Sequence, residues 1–201
     1  MSAPQPPVLA LAPSMSEYFH TAVEEVVHAR KVEATDGAIR YLVGVLCDFA
    51  HPDQDARSTL SQPLTFLLHD AMEATGAERF RRLRTLGDGV LYATGFFGGH
   101  VELSGAARGY VVTVGSTAYG QAASMMRGAQ GPDVLTELAR KFERFVEVLA
   151  DISDGFLARG ASDERSVVKV YERWLRTGST RLAEELGAMG IVPSRPPSGI
   201  N

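Results

Sequence analysis

One cysteine, no block of like charge and no long apolar run mark this sequence of 201 residues, and each shortage removes a class of protein. Cys47 alone cannot close an internal disulfide, so a disulfide-stapled secreted scaffold is excluded. Its place in the apolar run Tyr41 to Cys47 suits a small buried hydrophobe rather than a nucleophile, and a reducing compartment is expected. The formal charge of −4 lacks the Lys and Arg excess with which a protein displaces phosphate counterions, so nucleic acid is not the expected partner. The longest uncharged run, Gly109 to Met126, has 18 residues but contains Thr113, Ser116, Thr117, Gln121, Ser124 and three glycines. That is too polar to cross a bilayer, and no membrane insertion is expected. The opening residues MSAPQPPVLALAPSMS lack the positive start of a secretion signal, which makes the cytoplasm the expected location.

Several catalytic signatures are also missing. Gly87-Asp88-Gly89 has no third glycine at the dinucleotide-binding spacing, and no lysine follows a glycine pair as in a phosphate loop. Ser116, in Val114-Gly115-Ser116-Thr117-Ala118, lacks the second glycine of a nucleophile elbow.

What is present is an apolar repeat at helical spacing from Tyr18 to Met189 in a chain that is 45% hydrophobic and 22% charged. The spacing predicts an amphipathic helix from Ser16 through Val27, then a central helix from Thr35 or Asp36 through Phe49, ended by His51-Pro52-Asp53. A third runs from Pro63 to about Gly76 and a fourth begins near Ala77. Pro132-Asp133 opens a long helix through Leu157, and a last one runs from Ser162 or Asp163 to Met189 with a bend at Gly178. The fold class is therefore all-α: a single-domain bundle of seven or eight helices over residues 16–192. Residues 1–15, with four prolines and no charge, and residues 193–201 read as disordered Pro-rich tails.

Residues 87–120 interrupt the repeat with glycine, aromatic and β-branched residues. Intrinsic propensity favours strands there, since each interior glycine costs a helix about 1 kcal/mol. A lone hairpin in a helical chain is only marginally stable, however, and Gly95 with Gly99, or Gly115 with Ala118 and Ala122, supplies points where helix backbones approach closely. Helices are expected.

Four groups of side chains carry candidate chemistry. Arg79, Arg81, Arg82 and Arg84 around Phe80 and Leu83 form a basic helix face suited to phosphate, nucleic acid or an acidic protein surface. Tyr92, Phe96 and Phe97, with Tyr110 and Tyr119, suit an apolar ligand or a packed interface. His20, Glu24 and His28 fall along one helix edge, where solvated ion pairing explains them better than a metal. Leu67-Leu68-His69-Asp70-Ala71 resembles the metal-binding element of HD-domain phosphohydrolases. That resemblance implies a divalent metal ion on His69 and Asp70 activating water against a phosphoester, and it needs a further His and Asp, for which His28 or His51 and Asp133 are available.

Leu86-Gly87-Asp88, Leu91-Tyr92, Gly95-Phe96-Phe97, Ala118-Tyr119-Gly120, Phe142 to Val146 and Tyr171 to Leu175 together resemble an uncharacterised family of bacterial helical proteins. The resemblance implies helices throughout and no activity, ligand or cofactor. The expected function is thus that of a non-enzymatic cytoplasmic binding or regulatory protein acting through a protein partner or self-association, including a dimer. The alternative is the divalent-metal phosphohydrolase of His69 and Asp70.

Overall fold

The computed structural model describes residues 14–50, 62–97, 107–126 and 133–194, and all its regular structure is helical. Nine helices occur among these residues: α1 (Met15–Ala29), α2 (Asp36–Ala50), α3 (Leu64–Glu73), α4 (Gly76–Phe96), α5 (Arg108–Met125), α6 (Val134–Arg140), α7 (Phe142–Arg159), α8 (Glu164–Thr177) and α9 (Thr180–Ala188). The all-α architecture expected from the apolar spacing is the one observed. The prolines before residue 14, His51, Gly98, Gly99 and the end after Ser194 lie outside the described residues.

Local chemistry sets the ends. Ser14, not Ser16, caps α1 in a reciprocal box: its hydroxyl accepts from the Glu17 amide at 3.2 Å while Glu17 Oε2 accepts from the Ser14 amide at 2.7 Å. Residues 14 and 15 therefore belong to this helix rather than to a tail. Thr35 Oγ1 accepts from the Ala38 amide at the start of α2, and Asp133 accepts from the Thr136 amide at the start of α6. The single long helix expected from 133 to 157 is divided at Lys141, whose backbone at φ −107°, ψ 19° leaves the helical region. The Lys141 ammonium there reaches the Glu33 carbonyl at 2.5 Å and Glu137 at 3.1 Å, joining α6 to the α1–α2 connection. Gly178 ends α8 rather than bending it: its φ of 66° is the left-handed conformation that glycine adopts without a Cβ clash, and Ser179 caps α9 at once.

Helix α4 is central, packed along α5 and α7, with α3 on its N-terminal half. The helix continues through Gly87 to Phe96, as expected despite the strand preferences of this stretch, and its glycines serve tertiary contact. A methyl on Gly87 would stand 2.6 Å from the Tyr119 ring, one on Gly95 would be 2.5 Å from Leu149 Cβ, and one on Gly115 would be 2.2 Å from Phe142 Cζ. Glycine lowers the helix propensity of α4 and α5 but lets their neighbours' rings and branches enter to van der Waals distance. The main core includes Leu42, Leu46, Leu83, Val90, Leu91, Tyr119, Phe142, Phe145 and Leu149. A separate small cluster of Ala158, Val170, Trp174, Leu182 and Leu186 holds α8 and α9 against the end of α7.

These contacts set opposite outcomes for two glycines. Gly115→Ala is expected to cost about 1–3 kcal/mol in urea unfolding, since Phe142 and Val90 must move aside. Gly44→Ala, in an exposed turn of α2 where a Cβ meets nothing within 4 Å, is expected to stabilise by about 0.5–1 kcal/mol.

Candidate functional site

Helix α4 carries both binding groups read from the sequence, at its two ends. In the N-terminal half, Glu78 accepts from Arg82 at 2.7 Å and Arg81 at 2.8 Å. The Arg82 hydrogen bond and the Arg81 charge hold the Glu78 carboxyl below its ordinary range. Arg84 stands 3.6 Å from Asp88, and Arg79 turns inward, where Nη2 meets Met72 Sδ at 3.3 Å and the buried Nε has no partner. Four arginines against two carboxylates leave residues 78–88 at +2 in a chain whose total is −4. Arg81, 69% exposed, presents that excess to solvent.

At the other end the rings form a row. Tyr92 stacks between Phe49 of α2 at 4.6 Å and Phe96 at 4.7 Å, and Phe97 meets Tyr92 edge-on at 5.8 Å. Phe96 continues the row to Phe156 of α7 at 6.3 Å, and Tyr18 of α1 lies 5.6 Å beyond, with the Arg159 guanidinium over Tyr18 and Phe156. The rings are half-buried, and Phe97 is 38% exposed. Tyr119 and Tyr110 do not join them: Tyr119 is wholly buried between α2 and α7 rings, and Tyr110 is exposed at the start of α5. Two open clefts, one lined by Val27, His28, Val32 and Ile39 and one by Ala161, Val167, Val168 and Met189, contain none of these rings.

Among the described residues, the metal candidates His28, His69, Asp70 and Asp133 form no metal-holding group, and His51 lies outside those residues. His69 and Asp70 are exposed on α3, His28 lines the α1–α2 cleft, and Asp133 is engaged in capping α6. No group of three or more His, Cys, Asp and Glu side chains with metal-holding geometry occurs among the described residues. His20 Nδ1 and Glu24 Oε2 are 3.3 Å apart, a surface pair. Ser116 Oγ donates to the Thr113 carbonyl within its own helix. Cys47 is half-buried, and burial pushes its thiol pKa up, away from the reactive thiolate.

Two polar nodes were not recognised as such in the sequence. In the first, Asp88 Oδ1 accepts from both the Tyr41 hydroxyl at 2.7 Å and the Tyr119 hydroxyl at 2.8 Å, joining α2, α4 and α5 on one atom. Burial raises the Asp88 carboxyl pKa, although the two hydroxyls and Arg84 oppose it, and burial beside Asp88 raises both phenols. The signal available was an acid between two glycines inside an otherwise apolar turn, Leu86 to Leu91. In the second node, Arg173 of α8 donates to Asp154 Oδ1 at 2.5 Å, to the Phe96 carbonyl at 3.3 Å and to Ser153 Oγ at 3.3 Å. One guanidinium thereby pairs a carboxylate of 4% exposure and caps the C-terminal end of α4.

Arg173→Ala is accordingly expected to lower stability by about 3–5 kcal/mol, because it strands the Asp154 carboxylate in the interior. Asp154→Asn in the same chain should recover part of that loss in thermal unfolding, and full additivity of the two changes would refute the pairing. Compared with known proteins, the chain matches no protein-family model, no curated protein and no solved structure.

Proposed function

We propose that this chain is a non-enzymatic cytoplasmic binding or regulatory protein, and that α4 is its contact element toward a protein partner or a second copy of itself. The observation that carries this reading is the placement of two exposed side chains, Arg81 on the helix whose buried face lies at the centre of the core and Phe97 at the residue that ends that helix. Arginine and aromatic side chains dominate the energetics of protein interfaces, because each combines a large desolvated area with directional polar contact. A helix anchored by Gly87 and Gly95 presents such residues from a rigid base, which reduces the ordering cost of association. The partner surface that complements residues 78–88 is acidic, and the one that complements the ring row is apolar.

The test compares immobilised wild type with Arg81→Glu/Arg82→Glu and with Phe97→Ala, all three checked for equal helicity by circular dichroism. Capture of a specific partner, or self-association in sedimentation velocity, is expected to fall about tenfold or more in at least one variant. Identical behaviour of the three proteins would reject α4 as the contact element. Phosphoesterase turnover that disappears together with bound metal in His69→Ala would reject the non-enzymatic reading.

A further inference from the structure

Helices α8 and α9 bury little of themselves. Only Val170 and Trp174 of the 14 residues of α8 and Leu182 and Leu186 of the nine of α9 are buried, whereas α4 buries nine of 21 and α7 ten of 18. Those four side chains meet Ala158 of α7 in a cluster separate from the main core, and among the described residues α8 and α9 pack extensively only on α7 and on each other. Val168 and Leu175 of α8 are exposed and add nothing to this attachment. The fit on α7 is also imperfect. Arg181 of α9 occupies the space beside Gly155, 3.0 Å from where a Cβ would stand, and its buried Nε has no hydrogen-bond partner, which costs the closed arrangement free energy.

We propose that α8 and α9 form a clamp that opens from α7 as one unit while α1 to α7 stay folded, and that its closure through Arg173 fixes the C-terminal end of α4. Glycines stand at both bends: Gly160 follows α7, and Gly178, at φ 66°, turns α8 into α9. The chain after α9 belongs to the same unit, since Ile191 packs on its cluster and the Tyr171 hydroxyl donates to the Ser194 carbonyl at 2.9 Å. Opening exposes few apolar side chains. It also returns Arg173, Asp154 and Arg181 to water together, so no ion is left desolvated and unpaired. Parting α4 from α5 and α7 would instead uncover the main core, which makes the clamp the element that opens first. When it opens, the Phe96 carbonyl loses its bond from Arg173, and the last turn of α4, ending at Phe97, loses that restraint.

Trp174 is the one tryptophan of the chain and lies inside the clamp, so its fluorescence reports closure while far-ultraviolet circular dichroism reports the helices as a whole. In urea unfolding of the full chain, the fluorescence transition is expected to precede the dichroism transition by about 0.5 M or more. Native-state hydrogen exchange at low urea should show α8 and α9 amides sharing one opening, at least about tenfold more frequent than that of α5 and with a shallower urea dependence. Arg173→Ala should move the fluorescence transition to lower urea by more than the dichroism transition. In the same variant the Phe97 amide, which donates to the Ala93 carbonyl at 2.8 Å, should exchange about threefold faster or more. Coincident transitions in wild type, α8 amides that follow the urea dependence of α5, or α8 and α9 amides that open separately overturn the clamp. So does an Arg173→Ala chain in which both transitions are lost together, and unchanged Phe97 exchange overturns the link to the end of α4.

Discussion

The close crossing of α4 with α5 and α7 is the constraint on which the rest of this structure depends. At Gly87, Gly95 and Gly115 the position of a missing Cβ is occupied by Tyr119, Leu149 and Phe142 respectively, so the three helices interlock by absence of side chain on one partner and bulk on the other. Each interior glycine weakens its own helix by about 1 kcal/mol. The loss is offset because a large buried ring or leucine is worth about 1.5–3 kcal/mol once removed from water. Such a crossing tolerates little displacement, since a packed interior transmits a shift rather than absorbing it. It also dictates where α4 can be solvent-facing, which leaves its arginine turn and its terminal ring row at the surface.

The same crossing explains why two carboxylates lie in the interior with different solutions to burial. Asp88 is brought beside Tyr119 because Gly87 admits that ring, and it is satisfied by two neutral hydroxyl donors on one oxygen. Its charge is therefore hydrogen-bonded but not cancelled, which is why burial moves its pKa upward. Asp154 instead faces a guanidinium at 2.5 Å that also binds the carbonyl at the end of α4. The first arrangement ties three helices together through two hydroxyl donors on one carboxyl oxygen. The second is an ionic fastening of α8 to α7 and to the end of α4, beside the apolar cluster that packs α8 and α9 against α7.

The helices outside residues 87–120 were legible because their apolar residues recur with one period and are bounded by recognisable caps, as in Leu42, Leu46 and Phe49 or in Asp163 before α8. Residues 87–120 were harder to read, since valine, tyrosine and glycine carry strand preferences in isolation and only the partner helix turns those preferences around. The division at Lys141 was invisible, because Leu138, Phe142 and Phe145 keep helical spacing across it. Among the site residues, Arg81 lies exposed as a charge run suggests, whereas the exposure of Phe97 has no local signal in the sequence. Asp88 passed as part of a failed nucleotide motif, and nothing local distinguishes Asp154 from an ordinary solvent-facing acid.

By itself, the order of apolar and polar residues determined the class of fold, most helix limits and the exclusion of a membrane-spanning helix, since each follows from periodicity and composition within a few turns of chain. Tertiary structure alone decided which polar groups share an interior site. Tyr41, Asp88 and Tyr119 are separated by 47 and 31 residues, and Arg173 lies 77 residues from the carbonyl it caps. Contacts of that kind depend on how helices cross, and crossing is governed by shape at the glycine positions rather than by any local pattern.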